Sequence, residues 1–186
     1  MPTLFVIASC ETSFARTTKT LQVGEGAGAR SVRDRAPSRA VAVQADGVRS
    51  PVATERLAEL ARAVLTALKV RNAMLSVTLV NERTIARLNR AHLGHRGATD
   101  VITFALGADP SGVIVADIYV CVPVARLQAA AHRVGVREEV ARLVIHGTLH
   151  ACGWEHPEDE ERTTSAMWKR QERLLERFWI TPARRA

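Results

Sequence analysis

The chain has 186 residues, of which 47% are hydrophobic and 24% are charged. This length suits one domain, since domains commonly contain about 100–150 residues. No stretch approaches the roughly 20 apolar residues that a transmembrane helix needs, so we expect no membrane span. The net charge of +7 favours a phosphate-rich partner such as nucleic acid, although an arginine-rich surface without such a partner has the same charge. An aromatic content of only 4% argues against a surface built on base stacking.

The three cysteines, Cys10, Cys121 and Cys152, are far apart and odd in number. Such a set does not form a disulfide framework, and it predicts a protein of the reducing cytoplasm. We expect Cys121 and Cys152 to be small buried hydrophobic residues.

Residues 1–39 differ in composition from the rest of the chain. From Thr17 to Arg39 the sequence is rich in small residues and arginine and has no periodic apolar pattern, which is typical of disorder. A disordered leader, an organelle transit peptide and a translation start further along the chain all remain open; a signal peptide is disfavoured because no basic segment precedes the apolar run. We therefore predict one metal-binding domain over residues 40–180 and a tail over 181–186.

Alternating and β-branched apolar patterns predict four short strands, at residues 40–44, 74–80, 101–105 and 113–122. The last two flank Asp109-Pro110-Ser111-Gly112, a turn signal that favours an antiparallel hairpin. Apolar residues spaced by three and four predict helices over residues 51–68, 82–89, 123–134, 137–151 and 157–178.

The helix ends have candidate signals of their own. Thr54 and Asn81 are predicted to cap the first two helices. The third helix begins at Pro123 and ends at Gly135 in this interpretation. Its predicted inner face consists of Val124, Leu127, Ala131 and Val134.

Three histidines near the end of the fourth helix form the most informative pattern. His146 and His150 are four residues apart, so they lie one turn apart on one helix face. Gly153 can end the helix in a left-handed turn that lets His156 return to the same place. Three imidazoles with an open fourth position are typical of a catalytic zinc site, where zinc brings the pKa of water to about 7. The sequence therefore predicts one zinc ion held by His146, His150 and His156.

The same offsets occur in the extended zinc-protease pattern, which needs a glutamate directly after the first histidine as general base. Here Gly147 occupies that position, so a zinc metallopeptidase becomes the second hypothesis. His132 is interpreted as a helix-surface residue, and His92 and His95 as loop residues without a role. Trp154 is expected to pack over the turn.

At these positions the sequence resembles the YbeY family of bacterial metal-dependent endoribonucleases. The segment from His146 to His156 is similar to the histidine signature of that family. Upstream, Leu88-Asn89, Gly94 and Thr99-Asp100-Val101-Ile102-Thr103-Phe104 resemble a second motif, and Ala116-Asp117-Ile118 resembles its Gly-Asp-Ile strand. The resemblance covers roughly residues 40–180.

The resemblance implies an α+β fold: a small mixed sheet of about four strands packed against several helices, with the metal at the end of a helix in the C-terminal half. It implies zinc on His146, His150 and His156, and cleavage of single-stranded RNA in 16S rRNA 3′-end maturation and ribosome quality control. It also implies two protein partners: a protein of the small ribosomal subunit and the Era GTPase.

The sequence departs from the family pattern at Leu93, where many members carry an arginine implicated in activity. Arg96, three residues later, is a candidate replacement, and the hypothesis predicts that Arg96→Ala abolishes cleavage while zinc stays bound. Trp154-Glu155 replaces the usual Tyr-Asp before the last histidine, a milder change.

The sequence does not assign a catalytic residue. Thr99, Asp100 and Asp117 are candidates for lining the cleft or orienting a histidine. The alternative for each is a role in turn or strand-edge structure, which we favour for Asp117. Besides the ribonuclease and the peptidase, a third hypothesis is a non-catalytic ribosome assembly factor in which zinc only shapes an RNA-binding surface. The attacking group, metal-activated water or the 2′-hydroxyl, stays open.

Overall fold

The computed structural model of the chain describes residues 38–108, 112–157 and 160–181. These residues form four strands, five α-helices and two short helical turns. The strands are β1 (Ser38–Ala45), β2 (Asn72–Val80), β3 (Val101–Ala108) and β4 (Ile114–Cys121). The α-helices are α1 (Thr54–Ala67), α2 (Glu82–Leu93), α3 (Val122–His132), α4 (Val136–Ala151) and α5 (Ala166–Leu175). A 3₁₀ turn spans Glu160–Thr164, and a π-helical turn spans Glu176–Ile180.

The strands form one mixed sheet in the order β1-β2-β4-β3. β1 and β4 both run parallel to β2, whereas β3 runs antiparallel to β4 at the sheet edge. The predicted hairpin between the last two strands is therefore confirmed, and β4 is central as its continuous apolar sequence suggests. The fold is α+β with a small mixed sheet, as predicted.

The two faces of the sheet are covered unequally. On one face, Leu75, Val77 and Leu79 of β2 pack with α1, α4 and α5 in the main hydrophobic core. On the other face a small cluster of Val80, Ile85, Ile102 and Cys121 lies under α2. This division follows from strand geometry, because successive side chains point to opposite faces.

Several local predictions are corrected. Asn81 caps α2 as expected, accepting a hydrogen bond from the Thr84 N–H at 2.9 Å, but α2 continues to Leu93 and thus includes His92. Thr54 is not a cap, because α1 already includes it and the N-cap is Ala53, which makes no side-chain hydrogen bond. The predicted last helix is divided: a 3₁₀ turn precedes Ser165, which caps α5 through the Trp168 N–H.

The predicted inner face of α3 is wrong. The buried residues of α3 are Val122, Ala125 and Ala129, whereas Leu127 is 68% exposed. Small residues turn inward because α3 packs closely along α4. Gly135 does not end α3 either, since Arg133 is its left-handed C-cap and Gly135 is the N-cap of α4.

The ends of the chain are described only in part. The predicted leader, residues 1–39, lies outside the described residues except for Ser38 and Arg39, which begin β1 two residues before the predicted boundary. The predicted tail lies outside them apart from Thr181. Within the described ranges, no helix is both long and apolar enough to cross a bilayer.

Candidate metal centre

Helix α4 places two histidines in the interior of the protein. His146 and His150 are only 2% and 3% exposed, and their Nε2 atoms are 2.9 Å apart. α4 contacts β3, β4 and three other α-helices, so it is fixed on all sides. Because His146 and His150 are four residues apart on α4, their imidazoles lie side by side on a rigid, buried helix.

The chain then reverses after α4 and returns a third histidine to this pair. Gly153 has a φ of +79°, a left-handed conformation that glycine adopts without strain. The Trp154 N–H donates to the Leu149 carbonyl at 3.0 Å and closes the turn. Nε2 of the half-buried His156 comes to 3.4 Å from Nε2 of His146. The prediction of a left-handed turn at Gly153 is confirmed.

The three imidazoles could hold one metal ion. His146, His150 and His156 each offer a ring nitrogen, and these nitrogens lie within 4.8 Å of one another. In a tetrahedral site with Zn–N bonds of about 2.0–2.1 Å, ligand nitrogens are about 3.3 Å apart. The two Nε2 separations of 2.9 and 3.4 Å lie near that value. Three histidine nitrogens are also one of the ligand sets found at catalytic zinc sites.

Hydrogen bonds on the outer side of two rings fix their tautomers. The Nδ1–H of His146 donates to Oε1 of Gln171 at 2.5 Å, and the Nδ1–H of His156 donates to the Pro157 carbonyl at 2.7 Å. With the proton on Nδ1, the Nε2 lone pair of each ring points at the other histidines. Such an outer partner accompanies nearly every metal-binding histidine.

Gln171 is itself held in orientation. Its Nε2 donates to Oε1 of Glu172 at 2.9 Å, which leaves Oε1 as the atom that faces His146. Glu172 in turn accepts from Nε of Arg142 at 3.1 Å. The side chain of Gln171 is 1% exposed, so its amide cannot turn toward water. A relay of Arg142, Glu172 and Gln171 therefore supports the inner histidine.

Arg142 is the centre of a half-buried ionic network that also includes Glu138 and Glu139. Burial alone lowers the pKa of Arg142, but attraction by Glu172 and Glu139 outweighs it and raises that pKa above its ordinary value. Burial also raises the pKa of Glu139, although Arg142 opposes this shift. Arg142 is consequently a fixed cation among these carboxylates.

A cavity of about 450 Å³ borders this network and reaches His146. Its walls include Asp100, Gln128, His132, Glu139 and Arg142. Asp100 is held by hydrogen bonds from the Val101 N–H at 2.8 Å and from Nε2 of Gln128 at 2.9 Å. The cavity therefore gives small polar groups a route to the outer side of the histidine cluster.

The other predicted candidates are distributed unevenly. Thr99 is buried beside Asp100, which accepts a hydrogen bond from its hydroxyl at 3.1 Å. Asp117 lies on the face of the sheet away from α4, because its neighbour Ile118 points at α4. Among the remaining histidines, His92 sits edge-on to Phe104 at 5.1 Å.

Neither position discussed for an arginine lies in the histidine site. Leu93 packs against the small cluster under α2, so the residue that replaces the family arginine is part of an apolar contact. Arg96 is exposed and lines a separate groove beside α2. His95 and His132 are exposed as well, in agreement with a surface interpretation.

Gly147 shows why the protease pattern does not apply. A Cβ at this position would meet Cγ2 of Ile118 at 2.5 Å and Oγ1 of Thr103 at 3.1 Å. The position after the first histidine therefore faces the sheet and not the imidazoles. A glutamate there would collide with β4 and could not act on water at the histidine cluster.

The described cysteines behave as buried hydrophobic residues. Cys121 is fully buried and Cys152 is partly buried against the main core, and both are free thiols. Burial raises the pKa of each thiol to about 11, so both stay protonated at neutral pH. Trp154 also packs against the core, with the Arg170 guanidinium 6.0 Å from its ring centre.

Sequence analysis did not identify Gln171 and Glu172. A glutamine on an amphipathic helix carries no ligand signal of its own, and its partner His146 is 25 residues away along the chain. Only the packing of α5 against α4 brings them together.

The chain is similar to a group of known proteins. A family model described as Endoribonuclease YbeY matches residues 43–179. The endoribonuclease YbeY of Frankia alni is 39% identical over 145 residues, which are 70% of this chain and 77% of that protein. The one from Persephonella marina is 34% identical over 116 residues, or 61% of this chain and 75% of that protein.

A solved structure extends the comparison to the fold. The solution structure of a Thermotoga maritima protein matches with a TM-score of 0.53 at 26% sequence identity. The match covers 78% of this chain and 93% of that one.

Proposed function

The chain belongs to the YbeY family of endoribonucleases, and we propose that it is a zinc-dependent enzyme specific for single-stranded RNA. As a member of this family it is a hydrolytic nuclease. The metal, its number and the preference for single strands are parts of the proposal. The single observation that supports it best is the convergence of three imidazole nitrogens within 4.8 Å.

We assign His146, His150 and His156 as the ligands of one zinc ion. When bound, zinc supplies Lewis-acid chemistry at a phosphate oxygen or at an attacking water. Burial of His146 and His150 keeps competing water away, and the Nδ1 hydrogen bonds hold the lone pairs in place. Gln171 has the role of a positioning residue, since it contacts a ligand and not the substrate.

In the cell, we propose that the substrate is the precursor of 16S rRNA at its 3′ end, within the small ribosomal subunit of the cytoplasm, where cleavage serves maturation and quality control. The net charge of +7 suits a phosphate-rich substrate. Free Cys121 and Cys152 suit a reducing compartment. A small-subunit ribosomal protein and the Era GTPase are the partners that family resemblance implies for this role, and co-sedimentation with small subunits tests them.

The decisive experiment measures cleavage of single-stranded RNA and bound zinc together. We expect the zinc-loaded chain to hold about one equivalent and to cleave, and we expect His150→Ala to lose both properties. His95→Ala, which removes an exposed imidazole from the loop before β3, is the matched control and should retain both. Equal cleavage by the wild type and His150→Ala would contradict the proposal and indicate a contaminating nuclease.

The products then identify the attacking group. A 2′,3′-cyclic phosphate on one product shows attack by the neighbouring 2′-hydroxyl. A linear phosphate on one product and a free hydroxyl on the other, with no cyclic phosphate formed at any time, show attack by water. Zinc binding without cleavage of any RNA would favour the assembly-factor hypothesis.

A further inference from the structure

We propose that Arg87, Arg90 and Arg96 form a binding site for the phosphate backbone of single-stranded RNA, which we name the arginine groove. The inference rests on the proposed function, because it specifies where the substrate strand binds outside the histidine cluster. It concerns residues on the opposite side of the sheet from α4.

The groove is an open cavity of about 730 Å³ between α2 and the loop that follows it. Three arginines and three small residues line it, and none of its lining residues is acidic. The lining residues are Ala86, Arg87, Arg90, Ala91, Arg96 and Gly97. The small residues leave room for a backbone phosphate to approach closely, and the flexible arginine side chains can bind it whatever the base.

The charges of the groove are not neutralised by the protein. In the described part of the chain, none of its three arginines has an ion pair, whereas Arg62 and Arg142 are paired with glutamates. Arg87 and Arg90 are three residues apart on α2 and both are exposed. Like charges that are neighbours on one helix face repel each other, and a bound anion would reduce that repulsion.

A buried hydrogen bond fixes the shape of the groove. Asn89, which is 3% exposed, donates from Nδ2 to the Gly97 carbonyl at 3.0 Å. Gly94 and Gly97 have φ values of +70° and +98°, so the loop turns back along α2 and brings Arg96 to the same cavity. The third cation therefore comes to the other two by a defined fold of the loop.

The same loop connects the groove with the histidine site. Arg96 lines the groove, and Asp100 lines the cavity that borders His146. Four residues of extended chain span at most about 14 Å, so the backbone of Arg96 lies within that distance of a residue that lines the other cavity. We infer that a strand bound in the arginine groove continues along this loop toward the histidine cluster.

The test compares two double variants that remove the same charge. Arg87→Gln with Arg90→Gln alters the groove, whereas Arg56→Gln with Arg62→Gln removes two arginines from α1 on the other side of the sheet. Affinity for a fluorescent single-stranded RNA is measured by anisotropy at several salt concentrations, with a chelator present to prevent cleavage. The KM and kcat of each zinc-loaded chain are measured in parallel.

The groove variant is expected to bind RNA about tenfold more weakly than the wild type. Each phosphate contact on a single strand contributes about 0.7 to the slope of log affinity against log salt, so losing two contacts should reduce the slope by about 1.4. KM should rise while kcat stays unchanged, because these contacts bind substrate and transition state equally. The α1 variant should retain affinity, slope and KM.

Equal weakening of both variants would overturn the groove and show diffuse attraction instead. Wild-type affinity in the groove variant would also overturn it. Failure of the proposed function gives a different result, because RNA would then still bind through the groove while neither the wild type nor His150→Ala cleaves it.

Discussion

The two sides of the sheet differ in how they hold their charged and polar groups. On the α4 side, His146 and His150 are almost fully buried, and the outer hydrogen bond of His146 leads to a buried glutamine. On the α2 side, Arg87 and Arg90 are exposed and have no ion pair within the described residues. The small apolar cluster under α2 has four buried members, whereas the α4 side carries the main core of the protein.

If the two proposals hold, the difference reflects what a metal ion and a phosphate chain each require of a binding site. A metal ion requires donor atoms at fixed separations, so its ligands need rigid supports and outer hydrogen bonds. A phosphate chain requires charge at roughly the right place, which mobile guanidinium groups supply. The rigidly positioned histidines are therefore beside the main core, whereas the adaptable arginines are on the α2 side of the sheet, where fewer residues are buried.

The largest expected effect is on kcat, and it distinguishes the histidine cluster from the arginine groove, which should affect KM. His146→Ala should lower kcat by at least about a thousandfold, since loss of metal assistance removes several kcal/mol of transition-state stabilisation. The groove variant should change KM alone. Steady-state cleavage of one RNA by both variants in buffer that contains zinc measures this contrast, and a fall of kcat in the groove variant would place its arginines in the chemical step.

The contact between α4 and the sheet should be the most sensitive to added volume. Gly147→Ala places a methyl group where Cγ2 of Ile118 is 2.5 Å away, and we expect a loss of about 3 kcal/mol of folding free energy. For a chain of this length that corresponds to a fall in Tm of roughly 6–12 °C. Gly135→Ala is the control, because its Cβ would meet nothing within 4 Å. Equal melting temperatures for the two variants would show that α4 does not approach the sheet as closely as described.

Gln171 should affect the metal without abolishing the fold. Gln171→Leu removes the acceptor for the His146 Nδ1–H, and the expected loss of zinc affinity is about 10- to 100-fold. Gln171→Glu retains the acceptor for His146 but gives up the donor to Glu172, so it should lose less zinc affinity than the leucine variant. Competition with a chromophoric chelator measures affinity independently of activity. If both variants bind zinc as the wild type does, the hydrogen bond does not position the ligand.

The histidine cluster could be anticipated because its information is local. His146, Gly153 and His156 lie within eleven residues, and one helix followed by one left-handed turn brings them together. The strands could be predicted for a similar reason, since the period of two in β2 identifies its buried face directly. Short-range geometry dictated both features, so the sequence was sufficient for them.

The parts that were missed depend on contacts between distant segments. Gln171 is 25 residues from His146 along the chain and meets it only because α5 packs on α4. The same holds for α3, where apolar periodicity pointed to Leu127 and close packing on α4 selected Ala125 instead. Apolar spacing predicts that the most hydrophobic residues of a helix are buried. A close contact between two helices instead favours small residues, because large side chains do not fit there.

The smallest expected effect tests this last distinction. Leu127→Gln should change the free energy of unfolding by no more than about 0.5 kcal/mol, because the side chain is 68% exposed and loses little apolar contact. Ala125→Leu should cost about 1–3 kcal/mol, since it adds volume at a fully buried contact. Urea denaturation of both variants gives the two values under identical conditions. A large loss for Leu127→Gln would mean that this leucine is covered in solution, and α3 would then be a surface of contact rather than a free face. If Leu127→Gln cost more unfolding free energy than Ala125→Leu, Leu127 would belong to the buried face of α3, as the apolar spacing alone predicts.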